Sequence, residues 1–230
     1  MTGRQLQLAR KRANRTQVET ARHLGVTQGY LSMLEKGKRP LSYDLKKKAV
    51  ALFHFSPTQL PVDEGSFAAH GVTDAQLASE LSGLGYEGFS HVKPSRPKNP
   101  LEVLVSALKA DDRDARLVEA LPWVMLRYPD LDWKALVSAA KLNNLQNRLG
   151  YLINVACRLA ETRNNSRVAA KLGRAEFELA ASLLFREETL CNESMTKAER
   201  KWMERNRPEE ARRWRLLTYL SPVHIRYGTE

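Results

Sequence analysis

Gln28, Gly29, Ser32, Met33 and Lys36 fall on one side of a short segment whose opposite side carries Leu31 and Leu34. An amide, a hydroxyl and an ammonium group are the chemistry that meets nucleic acid. An amide can accept from one atom of a base edge and donate to another, and a cation pairs with phosphate. Lys38 and Arg39 extend the cationic end beyond Gly37. Each of these residues alone has a bland reading as solvated surface. Their grouping opposite an apolar pair points to a nucleic-acid interface.

No competing catalytic constellation emerges. His23, His54, His70, His91 and His224 lack the spacing of metal ligands, and Cys157 and Cys191 are far apart and not in a C-x-x-C pair. There is no G-x-S-x-G. Gly83, Gly85 and Gly88 reproduce G-x-G-x-x-G, but that motif needs a strand before it and a helix after it. Here a helical pattern precedes it, and Pro94, Pro97 and Pro100 follow, so a dinucleotide loop is rejected. The acidic cluster Asp111, Asp112 and Asp114 sits at a helix junction and reads as a helix cap. The expectation is a protein that is not an enzyme and holds no metal or cofactor.

Charge supports the nucleic-acid reading. The 230 residues contain 37 Lys and Arg against 26 Asp and Glu, a net +11. Residues 1–63 hold twelve of the cations and four of the anions, a net +8, which leaves +3 for residues 64–230. A small basic N-terminal unit is the footprint of phosphate binding. No apolar run approaches a membrane span, and the N-terminal MTGRQLQLARKR has no apolar core of a signal peptide. A cytoplasmic, nucleoid-associated protein is expected.

Local signals place the elements that carry these groups. Thr2 and Gln5 can cap a first helix over residues 2–13, with Leu6 and Ala9 inward and Arg10, Lys11 and Arg12 at its far end. Thr16-x-x-Glu19 is a capping box opening a second helix, whose expected inward stripe is Val18, Ala21 and Leu24. Gly25 supplies the left-handed stop, Val26 plugs the turn, and Thr27 caps a third helix that ends at Gly37. Tyr43 to Phe53 forms a fourth helix, and Ser56-Pro57 opens a short fifth through Leu60.

Residues 3–62 resemble the phage-repressor type of helix-turn-helix domain, the Xre or Cro/repressor family. The resemblance rests on Thr16-Gln17, Ala21, Leu24-Gly25-Val26-Thr27, Leu31-Ser32, Leu34-Glu35 and Lys36-Gly37. It implies that Thr27, Gln28 and Gly29 lie deepest in the major groove of double-stranded DNA. Gln28 would read adenine, and Tyr30 and Met33 would touch thymine methyls. Gln17 would contact a phosphate and brace Gln28. Ser32, Lys36, Lys38 and Arg39 would pair with phosphates. Arg10 and Glu35 would form a structural salt bridge. Gly29 and Met33 depart from the family, which often places polar readers there.

Beyond residue 63 the signals are weaker. Thr73 and Gln76 cap a short helix through Leu77, Leu81 and Leu84, and the proline-rich stretch to Pro100 reads as an extended linker, so 64–100 is expected to join two domains. Residues 101–230 read as helical throughout, without strands or a fixed repeat. Pro122-Trp123 is expected to break or kink a helix, Asn143 to Arg148 to form a polar inter-helix turn or a helix end, and Glu209 to Leu220 to make one helix after Pro208. Thr196-x-x-Glu199 opens another, and Ser221 to Gly228 is a short end that can dock. The whole is expected to be all-α: a five-helix repressor-type domain over 1–63, then a larger helical domain over 101–230. That domain is expected to form a homodimer or bind a protein partner, as in antitoxins of toxin–antitoxin or phage-defence operons. A third reading is a sensor whose C-terminal helices bind a small ligand, which a pocket lined by Trp123, Trp133 and the amides of 143–147 would favour.

Overall fold

A computed structural model describes residues 1–62 and 72–225. Contacts divide the chain into two compact units, Met1–Val62 and Asp63–Glu230. Among the described residues there are twelve α-helices and a single pair of two-residue strands, so the all-α expectation holds.

The first unit contains α1 (Gly3–Arg12), α2 (Gln17–Leu24), α3 (Gln28–Glu35), α4 (Tyr43–Leu52) and a 3-10 turn at Pro57–Gln59, the expected fifth element. Each helix begins where its cap dictates. Thr2 with Gln5, and Thr16 with Glu19, form reciprocal capping boxes, while Thr27 and Ser42 accept from the amides of Tyr30 and Leu45. Gly25 ends α2 at φ 72°, in the left-handed region. Leu6, Ala21, Leu24, Leu31, Leu34, Leu41, Leu45 and Ala49 form one buried cluster, with Val26, Tyr30 and Phe53 packed against it.

Val18 departs from expectation: it is 66% exposed, and Thr20 is buried in its place. At about 100° per residue, each step of three along a helix drifts by about 60°. Val18 therefore stands about 120° from Leu24, whereas Thr20, four residues back, stands about 40° away.

In the second unit the segment 72–100 is not a spacer. Its helix α5 (Asp74–Gly83) buries Leu77 and Leu81 completely. The proline-rich chain then returns along α5, where Ser79 Oγ donates to the Lys93 carbonyl at 2.7 Å and Ser82 Oγ to that of Val92 at 3.0 Å. Arg113 is bonded to Asp74 at 2.8 Å and Tyr128 to the Leu84 carbonyl at 2.7 Å. Pro94 and Pro97 keep this stretch extended without preventing its packing, and here serine hydroxyls satisfy carbonyls of the extended chain. The junction expected after residue 63 and Arg226 to Gly228 of the docking end lie outside the described residues.

Helices α6 (Pro100–Leu108), α7 (Ala115–Arg127), α8 (Trp133–Leu142), α9 (Gln146–Thr162) and α10 (Ser166–Ala180) follow. Helix α7 runs through Pro122 as a single helix, so of the expected break or kink the break does not occur. α9 is the centre of this unit, buried along most of its length and paired with α10 as a hairpin. The polar stretch 143–148 is only half a turn. Asn143 and Asn144 close α8, whereas Asn147 and Arg148 are buried in the first turn of α9. Asn147 Nδ2 donates to the Leu184 carbonyl at 3.2 Å and its Oδ1 accepts from the Leu184 amide at 2.8 Å, while Arg148 donates to the Leu108 and Ala110 carbonyls at 2.9 and 2.8 Å.

The C-terminal part holds β1 (Glu188–Thr189), α11 (Lys197–Asn206), α12 (Glu209–Arg213) and β2 (Leu216–Leu217). The two strands pair in parallel, Glu188 with Leu216 and Thr189 with Leu217. The single helix expected to Leu220 therefore stops at Arg213. Leu216 and Leu217 are both buried, at 0% and 2% exposure, and pair with Glu188 and Thr189 in place of continuing the helix. Arg215 turns the chain at φ 55° and Trp214 packs on Gly150 of α9.

Candidate nucleic-acid interface

The outward face of α3 is set by what its inward face buries. Leu31 and Leu34 are fully buried, which leaves Thr27, Gln28, Gly29 and Met33 exposed and Ser32 half-buried. Lys36, Lys38 and Arg39 are exposed on the turn that follows. Tyr30 is half-buried against the core, so only part of its ring belongs to this face. A Cβ added to Gly29 would meet nothing within 4 Å, so the fold itself does not require glycine there.

Behind this face runs a chain of hydrogen bonds. Arg10 Nε and Nη2 donate to the two carboxylate oxygens of Glu35 at 2.6 and 3.0 Å, and Arg10 Nη1 donates to the Arg15 carbonyl at 3.0 Å. Gln17 Nε2 donates to Glu35 Oε2 at 2.9 Å, and Gln28 Nε2 donates to Gln17 Oε1 at 3.0 Å. The pattern has one consistent orientation. An ionised carboxylate only accepts, so Gln17 must present its NH2 to Glu35 and its oxygen to Gln28. Gln28 must then donate one hydrogen inward, which leaves its Oε1 and a second N–H for the solvent side.

Electrostatics agree with the geometry. Burial would raise the Glu35 carboxyl, but the bonds from Arg10 and Gln17 outweigh it and hold the group below its ordinary 4.5. The Glu35 bond in turn raises Arg10. Both charges are thus fixed at neutral pH.

Two contributors were not evident from the sequence. Lys48 Nζ donates to the Leu24 carbonyl at 3.3 Å, where it closes the C-terminal end of α2. Exposed Val18 stands next to Gln17 at the start of α2. Nothing in the local sequence marks Lys48 within its run of three lysines, since the contact spans 24 residues.

The other candidate groups do not converge. Trp123 packs edge-on against Tyr86 and Tyr128, Trp133 Nε1 donates to the Pro129 carbonyl at 3.1 Å, and Asn147 is engaged with the chain at 184–186. Cys157 and Cys191 are free and buried, and burial pushes both thiols up to about 11. Asp114 caps α7 through the Arg116 amide, as its position predicts.

Residues 2–61 match the family model of a helix-turn-helix domain. The first unit is a helix-turn-helix domain. The match covers about a quarter of the chain, and α2, its Gly25 turn and α3 are the helix-turn-helix itself. A domain of this kind points to DNA as its partner. The chain matches no curated protein and no solved structure. None of the described helices is long and apolar enough to cross a membrane.

Proposed function

We propose that this protein is a sequence-specific transcriptional repressor. The observation that carries this reading is the α3 face: Gln28 exposed and aimed by Gln17 and Glu35, with Lys36, Lys38 and Arg39 at its end. In this reading α3 enters the major groove of double-stranded DNA. Gln28 accepts from adenine N6 through Oε1 and donates its free N–H to N7. Gln17, Ser32, Lys36, Lys38 and Arg39 fix the domain on the phosphates, and Met33 with the outer part of Tyr30 meets thymine methyls. The protein acts by binding rather than catalysis, in the cytoplasm at the nucleoid.

The repressor works as a homodimer on a palindromic operator, with two recognition helices about 34 Å apart. Footprinting on the DNA upstream of the protein's own gene tests this. A protected two-fold repeat is the expected result, and protection of a single unrepeated half-site would remove the dimer.

A second reading adds a protein partner at residues 101–230, as in an antitoxin that represses its own operon. It is favoured by Leu142, Phe177 and Phe185, which are 84%, 80% and 86% exposed. Co-purification of residues 101–230 in the full chain with the product of a neighbouring reading frame tests it. Recovery of the chain alone under expression of both would set it aside.

A further inference from the structure

A cavity of about 340 Å³ opens within the second unit, between α7, the turn at 190–195, α11 and the segment that follows β2. Val118, Leu190 and Leu217 line it with apolar, buried surface, and the thioethers of Met195 and Met203 join them. Tyr219 and His224 line it as well, with ring centroids 5.0 Å apart. Trp202 extends the row, 5.8 Å from Tyr219. Trp202 and Tyr219 are 52% and 50% exposed, so about half of each large ring faces water.

The polar groups of the cavity narrow what it can hold. The Ser221 amide donates to His224 Nδ1 at 3.1 Å, so the neutral ring carries its proton on Nε2 and offers an N–H donor. Glu119, half-buried, lines the same cavity and offers an acceptor. Arg113 also lines it, but its guanidinium is already bonded to Asp74 and to the carbonyls of Val72, Ser106 and Ala107. Among the described residues lining the cavity Arg113 is the only Lys or Arg and its charge is already paired, and Glu119 repels an acidic ligand. Thioethers and ring faces favour flat aromatic surface over saturated surface. The volume lies in the range of small-molecule sites, about 300–1,000 Å³.

We propose that this cavity binds a planar, uncharged bicyclic heteroaromatic molecule, which accepts a hydrogen bond from His224 and donates one to Glu119. The proposal is independent of DNA binding: its residues all lie in the second unit, and its test requires no DNA.

The full-length protein is titrated with quinazolin-4-one, a fused, uncharged ring system with one N–H and one carbonyl. Tryptophan fluorescence and ligand-observed NMR follow the binding. Saturable binding of one molecule per chain is expected, with a Kd on the order of 0.1 mM for a probe of this size. The saturated bicycle 2-decalone should bind at least about tenfold more weakly. Glu119→Ala and His224→Phe should each weaken quinazolin-4-one by roughly tenfold, as the loss of one hydrogen bond does. Met203→Trp, which fills the cavity, should abolish binding, and Lys141→Ala, exposed on α8 and outside the cavity lining, should leave it unchanged. Thermal unfolding of each variant is measured alongside, so that a variant that fails to fold is replaced by the others. The proposal is overturned if neither quinazolin-4-one nor isoquinolin-1-one saturates, if 2-decalone binds equally well, or if folded Glu119→Ala and His224→Phe both bind as the parent does.

Discussion

Glu35 and Arg10 meet through two hydrogen bonds, at 2.6 and 3.0 Å, with the Glu35 side chain fully buried and that of Arg10 11% exposed. Twenty-five residues separate them, and the pair ties α1 to the end of α3. Removing one partner strands the other charge in the core, at a cost of about 3–5 kcal/mol. Arg10→Met should therefore destabilise the first unit by that amount in urea unfolding. The double variant Arg10→Met/Glu35→Leu should recover most of the loss, because a pair of apolar side chains needs no counter-charge. If the single variant lost less than about 1 kcal/mol, the bridge would not be a structural element of the domain.

The same carboxyl gives the first unit an acid limit. Glu35 is held below its ordinary 4.5, so the unfolded chain binds that proton more tightly than the folded one. The stabilisation is fully present above about 4.5 and is lost as pH falls through the lowered folded value. Glu19, held low by its bonds to Thr16, acts in the same direction. Amide exchange in α2 and α3, followed from pH 7 to 3, should show protection falling below pH 4.5, and a Glu35→Gln variant should show a shallower fall.

Gly29 separates the demands of folding from those of recognition. A Cβ there meets only open space, so Gly29→Ala should leave the fold intact and raise its stability by up to about 1 kcal/mol through helix propensity. DNA affinity should change, because the added methyl lies on the face proposed to enter the groove. Calorimetry and binding measured on the same variant check both halves.

Gly150 makes the opposite demand. A Cβ at this position would lie 2.1 Å from the Trp214 ring, so Gly150→Ala should destabilise the second unit by several kcal/mol. Gly173, on α10, has nothing within 4 Å, and Gly173→Ala should be neutral or stabilising by about 0.5–1 kcal/mol. Thermal unfolding of the two variants should shift in opposite directions.

What was legible in the sequence follows the range of the interactions. Thr16 with Glu19, Thr27 with Tyr30 and Gly25 act within four residues of chain, so α2, its turn and α3 could be read directly. The order of Arg10, Glu35, Gln17 and Gln28 was legible only through resemblance, since it spans up to 25 residues. Val18, three residues before Ala21, has the spacing of an inward residue, yet it stands about 120° from Leu24 and faces outward. The strand pair at 188–189 and 216–217 has no local signature, because two residues are too few for alternation to show. Pro94 and Pro97 disfavour helix but say nothing of the serines on α5 that hold this segment.

The phosphate contacts should appear as salt dependence. Lys38→Ala should weaken binding about equally on all sequences and reduce the slope of log K against log salt by about 1 per subunit. A change of preferred sequence in this variant would move Lys38 from the backbone to a base edge.

Selection of bound duplexes from a random pool, run in parallel with the parent protein and Gln28→Ala, tests the central claim that the α3 face reads DNA. The parent should enrich a two-fold repeat. Gln28→Ala should lose discrimination at one base pair of each half-site, by about 1–3 kcal/mol, with the rest of the repeat preserved. Enrichment of no sequence by the parent, or of an unchanged sequence by Gln28→Ala, would contradict the account.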